Sequence, residues 1–505
     1  MTSPLHNMRT DHAIHSENRV LKRRKWPEPV AADRDCCDSQ AVFNAGMRHH
    51  HIANTAYPIA HNQTWGPYRV RRAEYNAIVR RAFADVDELL LYAHIPFCET
   101  RCYYCEYTVV GRREINAVDE YMRLLNNELD LYANLLNERV RTIKGFDIGG
   151  GTPAFVEPGH IAALIRKAQE VFRFTPDMQI SMETTPRIAA LNAAKMRGFY
   201  DAGVRRMSMG VQVTEPDLLR RLNRADNSLD CHKRAVENIR TAGFDNFNID
   251  VMYGFAGQSL DSVRATIAHA IELQPEAITL YRMRYKLTRI ADQARQVHLE
   301  DVHAQARLAG EMLRDAGYLA PPGKNTYARR PGDSGTSDYI QRRVQKGTAY
   351  LGTGLGAQTY SHTTIAYNDG AAGKTIEPYR RSLNADRLPL QDLYHLPQVH
   401  MMSKMIAVSF YFGAVDLIAF YEKFGITLER AFPTAVEFVL NNELMHYDDV
   451  HLRLTRRGAE QYNGVIALFY APSIQRCLLE FDPEQEFNRQ AAVAERIASR
   501  NDQSD

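Results

Sequence analysis

The chain has 505 residues, 45% of them hydrophobic and 24% charged, which excludes a single small binding module and the composition of a disordered protein, and suggests two to four structural units. Lys and Arg number 62 against 60 Asp and Glu, a formal net charge of +2, so no uniform field argues for nucleic acid as a partner. No run reaches the roughly 18 apolar residues of a membrane span; the nearest, residues 405–421, is interrupted by Ser409, Gly413 and Asp416.

Residues 1–87 read as an N-terminal extension, partly disordered, with little sustained periodicity. They hold His6, His12, His15, the run His49 to His51, His61, the adjacent pair Cys36 and Cys37, and the basic cluster Lys22 to Lys25. An accessory metal site is the weaker reading of these histidines, because adjacent cysteines chelate one ion poorly. The first residues lack an apolar core of the kind a secretory signal carries, so a cytoplasmic, reducing location is expected, where seven cysteines read as ligands or plain thiols.

From residue 88 to 300 short β-rich runs alternate with helical segments. The runs are 89–95, 146–151, 179–184, 205–212, 247–253 and 277–282. Between them apolar residues recur at helical spacing, as in Tyr121, Leu124, Leu125, Leu129 and Tyr132, or Ile161, Leu164, Ile165 and Val171. Six such units predict an α/β fold with a parallel sheet, a partial barrel or a doubly wound sheet, and both place chemistry at the carboxyl ends of the strands. Residues 301–397, rich in Gly, Pro and Tyr between 321 and 361, read as a connecting region that completes the site. Residues 398–470 read as a mostly helical C-terminal domain with a hairpin at 451–455, and 471–505 as a tail.

The polar residues collect where that rule puts them. The first run leads into HIPFCETRCYYCEY (94–107), with Cys98, Cys102 and Cys105 spaced C-x3-C-x2-C. Three thiolates on one short loop can converge on a soft metal centre and leave a coordination position open. The alternatives are a Cys3His zinc shell completed by His94, and unrelated thiols. Gly149, Gly150, Gly151, Thr152 and Pro153 end the second run and offer unobstructed backbone N–H groups to a charged ligand, or simply a tight turn. Glu183 ends the third run, where it suits ribose hydroxyls or open solvent. Gln212, Arg224 and Asp250 follow near later strand ends, and Tyr104 could stack on a base or shield the centre. Arg282, Arg284 and Lys286, near the sixth strand end, suit a substrate carboxylate or solvent.

These markers resemble the radical S-adenosylmethionine superfamily. Within it, YAHIPFCETRCYYC, GGGTP, METTP, MSMGVQ, LNR (222–224), NIDVMYGFAGQ, ITLYR, GLGAQTYS and LRLTRRG resemble the oxygen-independent coproporphyrinogen III dehydrogenase family, with its haem chaperones and its radical C-methyltransferases and cyclopropanases. The resemblance spans about residues 90–458 and implies a partial (β/α)6 barrel followed by a helical domain. It implies Cys98, Cys102 and Cys105 as ligands of a [4Fe-4S] cluster, and Tyr92, Gly150 and Glu183 as contacts of the cluster-bound S-adenosylmethionine. Tyr104, Gly151, Thr152, Gln212, Arg224 and Asp250 match positions that line a second molecule of that cofactor. One departure is Tyr107, which stands where the dehydrogenase has a fourth cysteine; the long N-terminal extension is another.

The main expectation is an enzyme that reductively cleaves S-adenosylmethionine, drawing electrons from a flavodoxin or ferredoxin, to C-methylate, cyclopropanate or oxidise an unsaturated small molecule. The alternatives are a coproporphyrinogen dehydrogenase-like tetrapyrrole enzyme and a haem chaperone.

Overall fold

Leu89, Leu90, Leu91, Ala93 and Ile95 are all fully buried, so strand β1 (Glu88–Ile95) is covered on both faces, as a parallel strand flanked by helices must be. The computed structural model describes residues 25–111, 114–482, 484 and 485. His6, His12, His15 and most of the basic cluster, like residues 486–505, lie outside the described residues.

Beside β1 lie β2 (Thr142–Gly150), β4 (Ile180–Thr184), β5 (Val204–Gln212), β6 (Asn246–Tyr253) and β7 (Ala277–Arg282), in that order and all parallel, with the two-residue β3 (Arg173–Phe174) attached to β2. The helices between them pack on the outside. In Val118–Leu135 the residues Tyr121, Leu124, Leu125, Leu129 and Tyr132 are fully buried, each worth about 1.5–3 kcal/mol of burial. Ser228 and Ser259 cap Leu229–Thr241 and Leu260–Glu272 by accepting from the Cys231 and Ser262 N–H groups.

Residues 301–397 extend this sheet at both edges. β8 (Thr326–Ala328) pairs antiparallel with β7, while β9 (Tyr350–Thr353) runs parallel beside β1. From β9 the antiparallel strands β10 (Gln358–Tyr360), β11 (Thr364–Asn368) and β12 (Leu390–His395) continue the sheet to twelve strands. Its two ends, β12 and β8, do not pair with one another among the described residues, so the barrel is partial.

A second core joins the two ends of the chain. Helices Gln398–Ser409, Leu417–Phe424, Pro433–Asn441 and Tyr462–Leu468 enclose a small antiparallel sheet of β13 (Ala414–Asp416), β14 (Met445–Tyr447) and β15 (His451–Leu454), in the order β13, β15, β14. Residues 400–409 are all buried, which accounts for the apolar run that begins at Met405.

The expected extension differs from what is observed over residues 25–87. Helix Ser39–Arg48 lies so close to Tyr462–Leu468 that a Cβ on Gly46 would stand 2.5 Å from the Asn463 carbonyl oxygen. Asp33 accepts from Tyr68 Oη at 2.8 Å, from the Ser473 N–H at 3.1 Å and from His400 Nε2 at 2.9 Å, and the Asp33 and His400 side chains have no exposed surface. His400 Nδ1 in turn accepts from Trp65 Nε1 at 3.1 Å and Tyr57 Oη at 3.0 Å. Sequence periodicity missed this because the segment uses short helices and irregular turns, and its partners lie more than 300 residues away.

Candidate active site

β1 ends at Ile95 and the chain turns directly into the cysteine loop. That loop is stitched to the glycine turn after β2: the Gly151 N–H donates to Ile95 O at 2.8 Å and the Thr152 N–H to Phe97 O at 2.7 Å. A Cβ on Gly151 would stand 2.7 Å from the Phe97 carbonyl oxygen and 3.1 Å from Cys98 Sγ. Gly150 has φ +126°, and a Cβ there would run into the His94 ring at 2.8 Å. Glycine is required at both positions, by space at one and by space and backbone at the other.

The strand register carries the remaining groups to the same end. Glu183 sits beside Ser208, and Gly210 beside Asp250, with Gln212 closing β5. Cys98, Cys102, Cys105, Tyr104, Gly150, Gly151, Thr152, Glu183, Gln212, Arg224 and Asp250 all line one cavity of about 430 Å³. Tyr92 does not line it. Its hydroxyl is 3.3 Å from His94 Nδ1, and behind the wall a Cβ on Gly149 would lie 3.1 Å from it.

The three cysteines are free and partly exposed. Burial pushes the Cys98 thiol up to about 12 and raises Cys105 as well, so both stay protonated until a cationic centre offsets the desolvation. Arg224 supplies local positive charge: Nη1 is 3.4 Å from Cys102 Sγ and 3.0 Å from Tyr104 Oη, while Nη2 donates to Gly210 O at 2.6 Å. Among the described residues no three His, Cys, Asp or Glu side chains converge on a point that could hold a single metal ion. A mononuclear zinc shell needs its thiolates within about 2.3 Å of one point. His94 Nε2 is also engaged, 2.8 Å from the Thr108 carbonyl oxygen. With His94 so engaged, three thiols line the cavity without it, a set that suits a cluster with one open position better than the Cys3His zinc alternative.

Two carboxyls face the thiols. Burial, reinforced by Asp250, raises Glu183 to about 8, although it accepts from the Gly150 N–H at 3.3 Å. Burial also raises Asp250 to about 6, against hydrogen bonds from Asn248 Nδ2 at 2.8 Å and Ser208 Oγ at 3.1 Å. Beneath them Asp147, raised to about 7 by burial, accepts from Ser337 Oγ at 2.7 Å. Gln212 has φ +69° and a buried Oε1 with no hydrogen-bond partner. An orphaned acceptor, strained backbone and carboxyls held near neutrality mark a site prepared for a ligand with donors and positive charge. Ser208, Asn248 and Asp147 were missed in the sequence; their two-residue spacing from Gly210, Asp250 and Gly149 is the signal that places them on the same strand faces.

A second cavity of about 530 Å³ adjoins the first, and Tyr107, Tyr281, Arg282, Met283 and Arg284 line both. Tyr107 and Tyr281 are 57% and 40% exposed, so their rings are open at this junction. The second cavity is aromatic and basic: Arg282, Arg284, Arg307, Arg314, Lys324 and Arg456 line it against Glu311 and Glu460. His50, His51, Asn54 and Thr55 of the N-terminal segment form part of its wall, which sequence reasoning did not anticipate.

Comparison with known proteins agrees with this fold. Residues 92–270 match the radical SAM superfamily model. The chain is 28% identical over 319 residues to the oxygen-independent coproporphyrinogen III oxidase of Bradyrhizobium diazoefficiens, covering 61% of this chain and 69% of that protein. It is 25% identical over 389 residues to the heme chaperone HemW of Bacillus subtilis, covering 75% of this chain and 98% of that protein. Among solved structures, coproporphyrinogen III oxidase (HemN) from Escherichia coli superposes with a TM-score of 0.64 at 22% identity, over 79% of this chain and 93% of that one.

Proposed function

We propose, for a chain that carries a radical SAM domain and is a radical SAM enzyme using a [4Fe-4S] cluster and S-adenosylmethionine, that it oxidises a carboxylated tetrapyrrole of the coproporphyrinogen class. The observation that carries this reading is the junction of the two cavities: thiols, glycine turn and carboxyls in one, open aromatic rings and an excess of guanidinium groups in the other. The relatives named as oxidases support it. Of the main expectation from sequence, methyl and methylene transfer gain no support from these relatives; the coproporphyrinogen dehydrogenase-like alternative fits them better.

In this reading Cys98, Cys102 and Cys105 hold the cluster. When bound, the cluster and S-adenosylmethionine supply one-electron reductive cleavage and an adenosyl radical that abstracts hydrogen. The chain's own residues prepare the place. Gly150 and Gly151 keep side chains out of the approach; contrary to the expectation from sequence, their N–H groups are spent within the protein, on Glu183 and on Ile95 O. Glu183 is mainly neutral at pH 7 and ionises against a cationic ligand, Asp250 is already mostly ionised there, and Arg224 ties the cysteine loop to β5 through Gly210. Tyr107 and Tyr281 present flat faces to an unsaturated substrate. A flavodoxin or ferredoxin in the cytoplasm is the electron donor this chemistry calls for.

The second reading is haem handling, favoured by a match that covers 98% of a heme chaperone and 75% of this chain. Anaerobic reconstitution with iron and sulfide, followed by dithionite, S-adenosylmethionine and coproporphyrinogen III, separates the two. With a one-electron acceptor added, oxidation yields 5′-deoxyadenosine, which carries off the hydrogen atom, and carbon dioxide from the substrate, whose remaining electron passes to the acceptor; Cys102→Ala abolishes both products along with cluster iron. An intact cluster with no turnover, together with a haem spectrum on adding haemin, replaces the oxidase reading by the chaperone one. S-adenosylhomocysteine as a product overturns both in favour of transfer.

A further inference from the structure

Arg282 ends β7 and lines both cavities. Its neighbours Arg284 and Arg307 are paired with Glu106 and Glu460. Arg282 has only neutral hydrogen-bond partners among the described residues: Nη1 donates to Asn463 Oδ1 at 3.2 Å and Nη2 to His50 Nδ1. A guanidinium carries five N–H donors in a rigid plane, so two anchored donors leave the rest aimed in a fixed direction, with an uncompensated charge.

The anchors come from opposite ends of the chain. Asn463 is fully buried, and its Nδ2 also donates to His50 O at 2.9 Å and Ala53 O at 2.6 Å, which fixes the backbone that presents the imidazole. Burial and the adjacent guanidinium push His50 down to about 3. The ring is therefore neutral at working pH and offers Nδ1 as an acceptor.

We propose that His50 is a positioning residue for substrate: it orients the Arg282 guanidinium so that its remaining N–H groups face a substrate carboxylate at the junction of the two cavities. The N-terminal segment thereby helps to decide which arrangement of carboxylates the enzyme accepts. This inference rests on the tetrapyrrole reading.

The test is a fluorescence titration of the reconstituted protein with coproporphyrin III, which bears four carboxylates, and with its tetramethyl ester, which bears none. His50→Leu weakens binding of the acid on the order of tenfold, about the worth of one charge-assisted hydrogen bond, and leaves ester binding unchanged. His50→Asn, whose Oδ1 can accept, restores most of the loss. Arg282→Gln shows the same loss, and adding His50→Leu to it costs nothing further, because the imidazole acts through the guanidinium. Wild-type affinity in His50→Leu, additive losses, or an equal loss of ester binding overturns the inference and leaves the tetrapyrrole reading standing. If wild-type protein binds neither probe, the tetrapyrrole reading falls and takes this inference with it. Should His50→Leu fail to fold, His50→Asn measured against Arg282→Gln carries the comparison: equal losses in both overturn the role of the acceptor.

Discussion

In the proposed reading, Glu183 is the residue whose protonation decides how the first cavity receives a cation. Its carboxyl is raised to about 8, so below that pH the neutral form predominates and binding a sulfonium or ammonium group requires loss of a proton. Affinity for S-adenosylmethionine therefore rises with pH towards about 8 and levels off above it, with a limit of tenfold per pH unit. Equilibrium dialysis of the reconstituted protein between pH 6 and 9 measures the slope. Glu183→Gln binds more weakly and flattens the profile; an unchanged slope in that variant removes Glu183 from the ligand. Most residues that line the first cavity were legible because they end a strand or follow one in the next loop, where one rule collects them. His50 was not legible, because its meaning comes from Arg282, 232 residues away, and from Asn463, 413 away.

At the scale of elements, the six parallel strands declared themselves by buried apolar runs, whereas β8 to β12 did not. Those strands span three to six residues, too few to show an alternation, and they pair with edges already built by distant sequence. The helix pair Ser39–Arg48 and Tyr462–Leu468 was hidden for a similar reason: its contact rests on a glycine facing a glycine. In a free helix Gly46→Ala gains about 1 kcal/mol from propensity. Here the added methyl group would stand 2.5 Å from the Asn463 carbonyl oxygen and 2.9 Å from Ala467 Cβ, so overpacking costs about 1–3 kcal/mol and reverses the sign. Urea denaturation checks this; a stabilised Gly46→Ala would mean that the helices can separate freely.

For the molecule as a whole, the joining of its two ends is sensitive to acid. The hydrogen bonds of His400, Ser473 and Tyr68 hold the Asp33 carboxyl down at about 2, from an ordinary value of 3.8, despite its burial. A lowered value stabilises the fold above about pH 4, and the contribution of about 2 kcal/mol is lost as pH falls from about 4 to about 2. Both tryptophans of the chain, Trp26 and Trp65, belong to this segment, and Trp65 is fully buried against His400. Tryptophan emission, excited selectively over that of the 26 tyrosines, therefore reports on the N-terminal segment alone. It shifts to the red over that interval, and Asp33→Asn moves the shift to milder conditions; a red shift only together with loss of all secondary structure would mean that the segment does not release separately.

The pairing of Asp33 with His400 also sets an order of events during synthesis. The two residues are 367 positions apart, so at about 5–20 residues per second a ribosome takes roughly 20 to 70 seconds after making the first to supply the second. Throughout that interval Trp65, Tyr57 and Val42 have only part of their core, Leu90 early and residues 339–396 late, while the helices from Gln398 onward are still to be made. The apolar surface of the N-terminal segment is thus fully covered only when roughly the last fifth of the chain has been made, and a product truncated before Gln398 leaves part of it exposed.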